Sequence, residues 1–165
     1  MTGSMTRPLL LMGCGKMGGA MLEGWLESGI AGGGVVIVDP TGAPAFAGRP
    51  GVSVHASADD LPEGLNPEVV ILAVKPQQME GALPIYRAYA DPDTLFISIA
   101  AGKTISFFEQ HLGADATVIR AMPNTPAAIG QGITVCCPNG NTSDAQLSLS
   151  LALLESVGEA TSTRD

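Results

Sequence analysis

The segment "LLLMGCGKMGGAM", from Leu9 to Met21, decides how the rest of the sequence is interpreted. It begins with a short apolar run, Leu9 to Met12, and continues with glycines at the first, third and sixth places of "GCGKMGG". A helical pattern follows, in which small or apolar residues recur on one face: Met17, Ala20, Met21, Gly24 and Trp25. This order predicts a β-strand, a tight turn and an α-helix.

A glycine turn of this kind is typical of sites where a pyrophosphate lies against backbone N–H groups at a helix N-terminus. A side chain at Gly15 would obstruct that approach. Asp39 ends the next apolar run, about 20 residues later, where dinucleotide-binding proteins have an acid that accepts hydrogen bonds from the ribose. We therefore expect dinucleotide binding. Two plainer interpretations stay open: a strand–helix turn without any ligand, and an Asp-Pro turn at Asp39.

Asp39 also bears on the choice of cofactor. Its carboxylate would accept hydrogen bonds from ribose hydroxyls and repel a 2′-phosphate, and the following Pro40-Thr41-Gly42 contains no arginine. These residues favour NADH, although Arg49 is close enough in sequence to leave NADPH open. The expected cofactor is accordingly NADPH or NADH.

Short apolar runs alternate with helical patterns along the rest of the chain. Further strands are predicted at Val35–Val38, Val52–Val54, Val69–Val74, Leu95–Ile99, Thr117–Ala121 and Ile133–Cys137, and helices at about Pro76–Ala90, Ile105–His111 and Ser143–Val157, the last with Ser143 or Thr142 as N-cap. Such alternation predicts an α/β protein with a Rossmann-like, doubly wound, mostly parallel sheet and helices on both faces. Ligands of such sheets bind beyond the carboxyl ends of the strands.

Composition and charge narrow the class of protein. A chain of 165 residues fits one domain, and its net charge of −8 argues against nucleic acid or an anionic membrane as a partner. There is no apolar run long enough to cross a bilayer and no signal peptide, so we expect a cytoplasmic protein. The three cysteines lack the spacing of a disulfide framework or a metal site. Four cations follow or close predicted strands, which would gather positive charge at one edge: Lys16, Lys75, Lys103 and Arg120.

Four motifs together resemble one family. They are the glycine turn, "AVKPQ" at Ala73–Gln77, "SIAAG" at Ser98–Gly102 and "RAMPNTPA" at Arg120–Ala127. In order and spacing they are similar to the motifs of pyrroline-5-carboxylate reductase, the last enzyme of proline biosynthesis. The resemblance spans about Leu9 to Gly158. Many dehydrogenases share the glycine turn, whereas the Met-Pro-Asn-Thr-Pro block is much more specific.

The resemblance implies where a dinucleotide would lie. Residues 74–76 would line the path of the ribose and diphosphate, and residues 100–102 would let the nicotinamide ribose lie close to the strand end. Asn124 and Thr125 would lie near the carboxamide and ring, in a loop that Pro123 and Pro126 hold extended. Arg120 would add positive field or brace this loop.

The cofactor-binding residues expected on these grounds are Gly13, Gly15, Lys16, Met17, Gly18, Asp39, Val74, Lys75, Pro76, Ala100, Ala101, Gly102, Met122, Pro123, Asn124 and Thr125. The adenosine end departs from the family pattern. Many relatives carry Asn where this chain has Ala58, which could move those contacts to Ser57. Relatives also often have an Arg-Asn pair where this chain has Pro40-Thr41.

A larger departure concerns domain organisation. Family members continue past a strand that begins near Val157 into a helical domain, which forms the dimer and holds the substrate carboxylate with a Ser-Gly-Ser-Gly-Pro loop. No such loop occurs here. We expect residues 1–7 to be an N-terminal extension, either a cloning remnant or native, residues 8–160 the NAD(P)-binding domain and residues 161–165 a tail. The catalytic residues and the homo-oligomer contacts would then belong to the absent domain.

The expected function is reduction of 1-pyrroline-5-carboxylate to proline, with this chain binding the cofactor and nearly inactive alone. Two alternatives remain: another reductase of the 6-phosphogluconate dehydrogenase-like group, acting on a ketoacid, and a non-catalytic nucleotide-binding module. Neither His55 nor His111 is assigned a catalytic role. If the last helix packs across the domain boundary, the absence of the second domain would leave Leu149, Leu153 and Leu154 exposed. Such an apolar surface predicts that copies of this chain associate.

Overall fold

The computed structural model describes residues 5–123 and 132–163. Eight strands form one sheet in the order β3-β2-β1-β4-β5-β6-β7-β8. Neighbouring strands pair in parallel except β6 and β7, which are antiparallel. The strands are β1 Leu9–Met12, β2 Val35–Val38, β3 Val52–His55, β4 Val69–Leu72, β5 Leu95–Ser98, β6 Thr117–Pro123, β7 Gly132–Pro138 and β8 Gly158–Ser162.

Helices cover both faces of this sheet. They are α1 Lys16–Ser28, α2 Pro76–Ala82, α3 Ile105–Leu112 and α4 Asp144–Leu154, with a 3₁₀ helix, Leu83–Tyr89, directly after α2. Apolar residues of α1 and α4 pack in one core, and those of α2, the 3₁₀ helix and α3 pack in a second core on the opposite face. The predicted Rossmann-like, doubly wound fold is confirmed.

Strands β1, β2 and β4 are apolar at every position because both of their faces are covered. All residues of β1, β2, β4 and β5 are buried, whereas β3, at the edge of the sheet, is half-exposed. This is the burial expected of parallel strands between two helical layers. It explains why uninterrupted apolar runs, rather than alternating ones, mark the strands in the sequence.

Several element ends differ from the sequence-based prediction, most of them by one or two residues. Strand β4 ends at Leu72, because the chain leaves the sheet before Lys75-Pro76 to begin α2. The helix predicted to reach Ala90 is α-helical only to Ala82, since Pro84 has no N–H to continue the hydrogen-bond ladder. Helix α4 ends at Leu154 and is followed by a 3₁₀ turn, Glu155–Val157.

The start of α4 agrees with the prediction. Ser143 is the N-cap, and its hydroxyl accepts a hydrogen bond from the N–H of Gln146 at 3.1 Å. The side chain of Gln146 accepts one in return from the N–H of Ser143 at 3.0 Å. This reciprocal pair satisfies two backbone donors at the helix N-terminus.

The expectation of an exposed apolar face on α4 is wrong for two of its three residues. Leu153 and Leu154 are fully buried, and the indole Nε1 of Trp25 donates a hydrogen bond to the carbonyl of Leu153 at 2.8 Å. Only Leu149 is half-exposed. The helix therefore packs against α1 and the sheet rather than across a domain boundary.

No helix within residues 5–123 and 132–163 has the length and apolar character required to span a membrane.

Two glycine-to-alanine substitutions should have opposite effects on stability, because α1 packs closely against the turn after α4 at one glycine and α2 has open space at the other. A Cβ on Gly24 would lie 2.6 Å from the Cβ of Ser156, whereas one on Gly81 in α2 would have no atom within 4 Å. Gly24→Ala should lower the free energy of unfolding by about 1–3 kcal/mol through overpacking. Gly81→Ala should raise it by up to about 1 kcal/mol through helix propensity. Urea unfolding measures both, and equal stability of wild type and Gly24→Ala would contradict this packing.

Candidate functional site

The carboxyl ends of β1, β4 and β5 bring three connecting segments to one edge of the sheet, called here the carboxyl edge. They are residues 13–16, 73–76 and 99–103. The N–H of Gly13 donates to the carbonyl of Val38 at 2.8 Å, and the N–H of Ala73 donates to the carbonyl of Met12 at 2.9 Å. The parallel register therefore places the glycine turn beside the "AVKPQ" segment.

Two of the three turn glycines are explained by the fold itself. Gly13 has a φ of +87°, and a Cβ there would lie 3.0 Å from Val74 Cγ1 and 3.2 Å from the carbonyl oxygen of Ala73. A Cβ on Gly18 would lie 3.1 Å from the carbonyl oxygen of Gly13. These glycines let the helix start close to the strands.

Gly15 has no such structural reason. Its φ of −80° suits any residue, and a Cβ there would meet no atom within 4 Å. Gly15 is the N-cap of α1, where no side chain caps the helix and no acidic residue occurs in the first turn. The first N–H groups of α1 thus have no side-chain cap, and they lie next to the exposed Lys16. This arrangement fits an anion held by backbone amides and the positive end of the helix dipole.

Asp39 connects the end of β2 to the glycine turn. The residue is 7% exposed, and its Oδ2 accepts a hydrogen bond from the N–H of Cys14 at 2.8 Å. Oδ1 accepts two from Thr41, from the N–H at 2.8 Å and the hydroxyl at 2.7 Å. Burial alone would raise the pKa of Asp39, but these hydrogen bonds outweigh it and hold the pKa below its usual value. The carboxylate is therefore ionised and fixed in place.

The thiol of Cys14 is chemically quiet in this position. Burial first, and then the charge of Asp39, raise its pKa to about 11. The thiolate is the reactive form of cysteine, so the glycine turn carries no nucleophile near neutral pH.

A cleft of about 400 Å³ opens beside the glycine turn. On one side it is lined by Gly13, Pro40 and residues 56–58, and on the other by Val74 and one face of α2 and the 3₁₀ helix. Sequence reasoning missed the second side, formed by Gln78, Ala82 and Ile85. Ala82 follows Gln78 by four positions, and Ile85 follows Ala82 by three. This spacing, directly after the "AVKPQ" motif, is the signal that could have identified these residues, because it places them on one helical face.

A larger cavity, of about 710 Å³, lies at the opposite edge of the sheet. Its lining includes Arg87, Asp115 and Thr117, the first residue of β6. The volume of a cavity therefore does not identify the candidate binding site in this protein. The smaller cleft is the one that adjoins the uncapped helix and the glycine turn.

The four expected cations differ in their positions relative to the carboxyl edge. Lys16 and Lys75 are exposed there. The Nζ of Lys103 lies 4.6 Å from the centre of the Phe107 ring, a cation–π contact with α3. Arg120 does not close its strand, because β6 runs on to Pro123; one guanidinium nitrogen lies 3.6 Å from the sulfur of Met122. Its buried Nε has no hydrogen-bond partner among the described residues.

The nicotinamide end is described only in part. Ala100 is buried at the end of β5, and its N–H donates to the hydroxyl of Ser98 at 3.2 Å, while Ala101 and Gly102 are exposed. Met122 is 43% exposed in β6. Asn124 and Thr125 lie outside the described residues.

Comparisons with known proteins show the family of this chain. A family profile described as NADP oxidoreductase, coenzyme F420-dependent, matches residues 9–102. The pyrroline-5-carboxylate reductase of Escherichia coli (strain K12) is 33% identical over 159 residues, which are 94% of this chain and 58% of that protein. The chain thus spans somewhat more than half the length of this curated relative.

Two solved structures were compared with the fold. A pyrroline-5-carboxylate reductase from Coxiella burnetii superposes with a TM-score of 0.88 at 25% identity, covering 98% of this chain and 60% of that one. The pyrroline carboxylate reductase of Plasmodium falciparum, described with NADP bound, gives a TM-score of 0.79 at 24% identity, covering 98% and 59%. The similarity to the Plasmodium falciparum protein shows only that the two folds are alike.

The different roles of Gly13 and Gly15 predict a difference in stability. Gly13→Ala should lower the free energy of unfolding by about 2 kcal/mol, because alanine is strained at positive φ and crowds Val74. Gly15→Ala should lower it by less than about 1 kcal/mol, the cost of replacing glycine by alanine at an N-cap. Urea unfolding of both variants checks this, and similar losses in the two would show that the space at Gly15 is not open.

The raised pKa of Cys14 predicts slow alkylation. With a pKa of about 11, about 0.1% of this thiol is ionised at pH 8. Iodoacetamide should therefore modify Cys14 in the native protein more than tenfold more slowly than in the urea-unfolded chain, as measured by mass spectrometry of peptides. Equal rates in the two states would contradict the raised pKa.

Proposed function

The chain belongs to the family described as NADP oxidoreductase, coenzyme F420-dependent, and on this premise we propose that it is the cofactor-binding part of a pyrroline-5-carboxylate reductase. Such an enzyme reduces the C=N bond of 1-pyrroline-5-carboxylate with hydride from NADPH or NADH and yields proline. The observation that carries the proposal is the open, uncapped N-terminus of α1 at Gly15. The likeness to pyrroline-5-carboxylate reductase along 94% of the chain supports the choice of reaction.

The proposed cofactor lies along the carboxyl edge. Its pyrophosphate is held by the N–H groups of residues 15–18, with Lys16 adding positive charge. Its adenosine occupies the cleft beside Asp39 and Ser57. Residues 74–76 line the diphosphate path, and residues 100–102 lie against the nicotinamide ribose. Residues 122–125 are assigned to the nicotinamide end by the motif alone.

When bound, the dinucleotide supplies the hydride, so the protein's own task is to orient the ring over the imine carbon and to exclude water. Among the described residues near the carboxyl edge, the ionisable side chains do not form an acid–base pair: Asp39 is held by three hydrogen bonds. His111 lies on α3, where its Nδ1 is 2.8 Å from the carbonyl oxygen of Phe107. Residues 8–160 are accordingly proposed to bind and position the cofactor only.

The substrate contacts are proposed to come from elsewhere. The chain spans 58% of its Escherichia coli relative, and we assign the groups that hold the substrate, together with contacts of a homo-oligomer, to sequence that such relatives have outside the matched region. A cytoplasmic location fits a biosynthetic reductase and forms part of the proposal.

Calorimetry of the 165-residue chain should detect one binding site for a nicotinamide dinucleotide. Gly15→Ala should weaken binding at least about tenfold, because its Cβ would keep the pyrophosphate from the backbone amides. Gly140→Ala is the matched control, since a Cβ there also meets no atom within 4 Å and the residue lies in the turn between β7 and α4. Unchanged binding by Gly15→Ala would contradict the proposed pyrophosphate position.

Turnover tests the assignment of the substrate contacts. The chain alone should reduce pyrroline-5-carboxylate negligibly. The same chain joined to the unmatched portion of the Escherichia coli relative should gain activity. Full activity of the chain alone would show that the substrate site has been misplaced, and binding without turnover in the joined protein would favour a non-catalytic nucleotide-binding module.

A further inference from the structure

We infer that this site selects NADH against NADPH, through the fixed carboxylate of Asp39 and through Glu23, which holds Arg49 away from the 2′-phosphate position. The inference rests on the proposed function and deepens it, because it names which dinucleotide the site takes. It also separates this chain from the relative that is described with NADP bound.

The first part of the argument is that Asp39 cannot move aside. Three hydrogen bonds, from Cys14 and Thr41, occupy three of the roughly four acceptor positions of its carboxylate. One position remains, on Oδ2, and a ribose hydroxyl can donate to it. A 2′-phosphate has no proton to donate near neutral pH and would bring negative charge against a buried carboxylate. Rotating Asp39 away would break all three hydrogen bonds.

The second part concerns the cation that an NADPH site needs. An arginine near the end of β2 usually accommodates the 2′-phosphate. Arg49 is the arginine that follows β2 here, but its guanidinium forms two contacts with the Glu23 carboxylate, at 3.0 and 3.1 Å. It also lies 5.5 Å from the centre of the Phe46 ring.

The location of Glu23 on α1 determines where the positive charge of Arg49 lies. Glu23 is seven residues after Lys16, the first residue of α1, so it is about 10 Å further along the helix axis. Arg49 is therefore directed toward the middle of α1 and away from its N-terminus. Lys16 and Lys75 follow β1 and β4 rather than β2, so their charge falls at the pyrophosphate.

The two contributions differ in size. The Glu23–Arg49 pair is half-exposed, with side chains 48% and 36% accessible, and exposed ion pairs are weak. Releasing Arg49 should therefore strengthen NADPH binding only about two- to fivefold. Removing the charge of Asp39 should have the larger effect, about tenfold or more, since Asp39 is only 7% exposed and lies beside the ribose in the proposed binding mode.

The test is calorimetric titration of the 165-residue chain with NADH and with NADPH. NADH should bind at least about tenfold more tightly. Asp39→Asn should reduce the ratio about tenfold. Glu23→Gln should strengthen NADPH binding and leave NADH binding unchanged, whereas Glu27→Gln, an exposed acid one turn later on α1, should change neither.

The outcomes separate the inference from the proposed function. Wild-type protein that binds NADPH as tightly as NADH, or more tightly, would overturn the inference and leave the proposed function intact. Absence of binding for both dinucleotides would instead refute the proposed function. Should Asp39→Asn fail to fold, the comparison of Glu23→Gln with Glu27→Gln still decides, and equal NADPH affinity in these two variants would count against the role of Glu23.

Discussion

The hydrogen bond from the N–H of Cys14 to the carboxylate of Asp39, 2.8 Å long, joins the two halves of the candidate site. It is possible because parallel pairing of β1 with β2 brings both strand ends to the same edge. Gly13, at positive φ, turns the chain toward Asp39, and the next residues start α1 without a capping side chain. The same contact thus fixes the turn, leaves helix amides free and places a permanent negative charge beside them.

Much of the fold could be predicted because its signals are local. The bounds of β1 and β2 follow from four-residue apolar runs that end at glycine or aspartate, and Ser143 is recognisable as a helix cap. The end of α2 was also signalled, by Pro84, but the apolar pattern continues past it into the 3₁₀ helix. Burial of Leu153 and Leu154 was not predictable, since α4 is apolar on several faces and the sequence does not say which of them contacts α1.

Some features of the candidate site could likewise be predicted from the sequence, and others could not. The need for glycine at positions 13, 15 and 18 could be predicted from their spacing, although only the structure separates the two that the fold requires from the one it does not. The hydrogen bonds of Asp39 with Cys14 and the ion pair of Arg49 with Glu23 join residues 25 and 26 positions apart. Such contacts depend on tertiary packing, so the sequence could present Arg49 only as a possible partner for phosphate.

The central claim is that a nicotinamide dinucleotide lies along the carboxyl edge at Gly15. An NMR titration of ¹⁵N-labelled protein with NADH tests it directly, because each backbone amide reports its own surroundings. The account predicts that the largest shifts fall on residues 13–18 and 39–41, with further changes at residues 56–58. Shifts concentrated instead around Arg87, Asp115 and Thr117, at the larger cavity on the opposite edge, would contradict it.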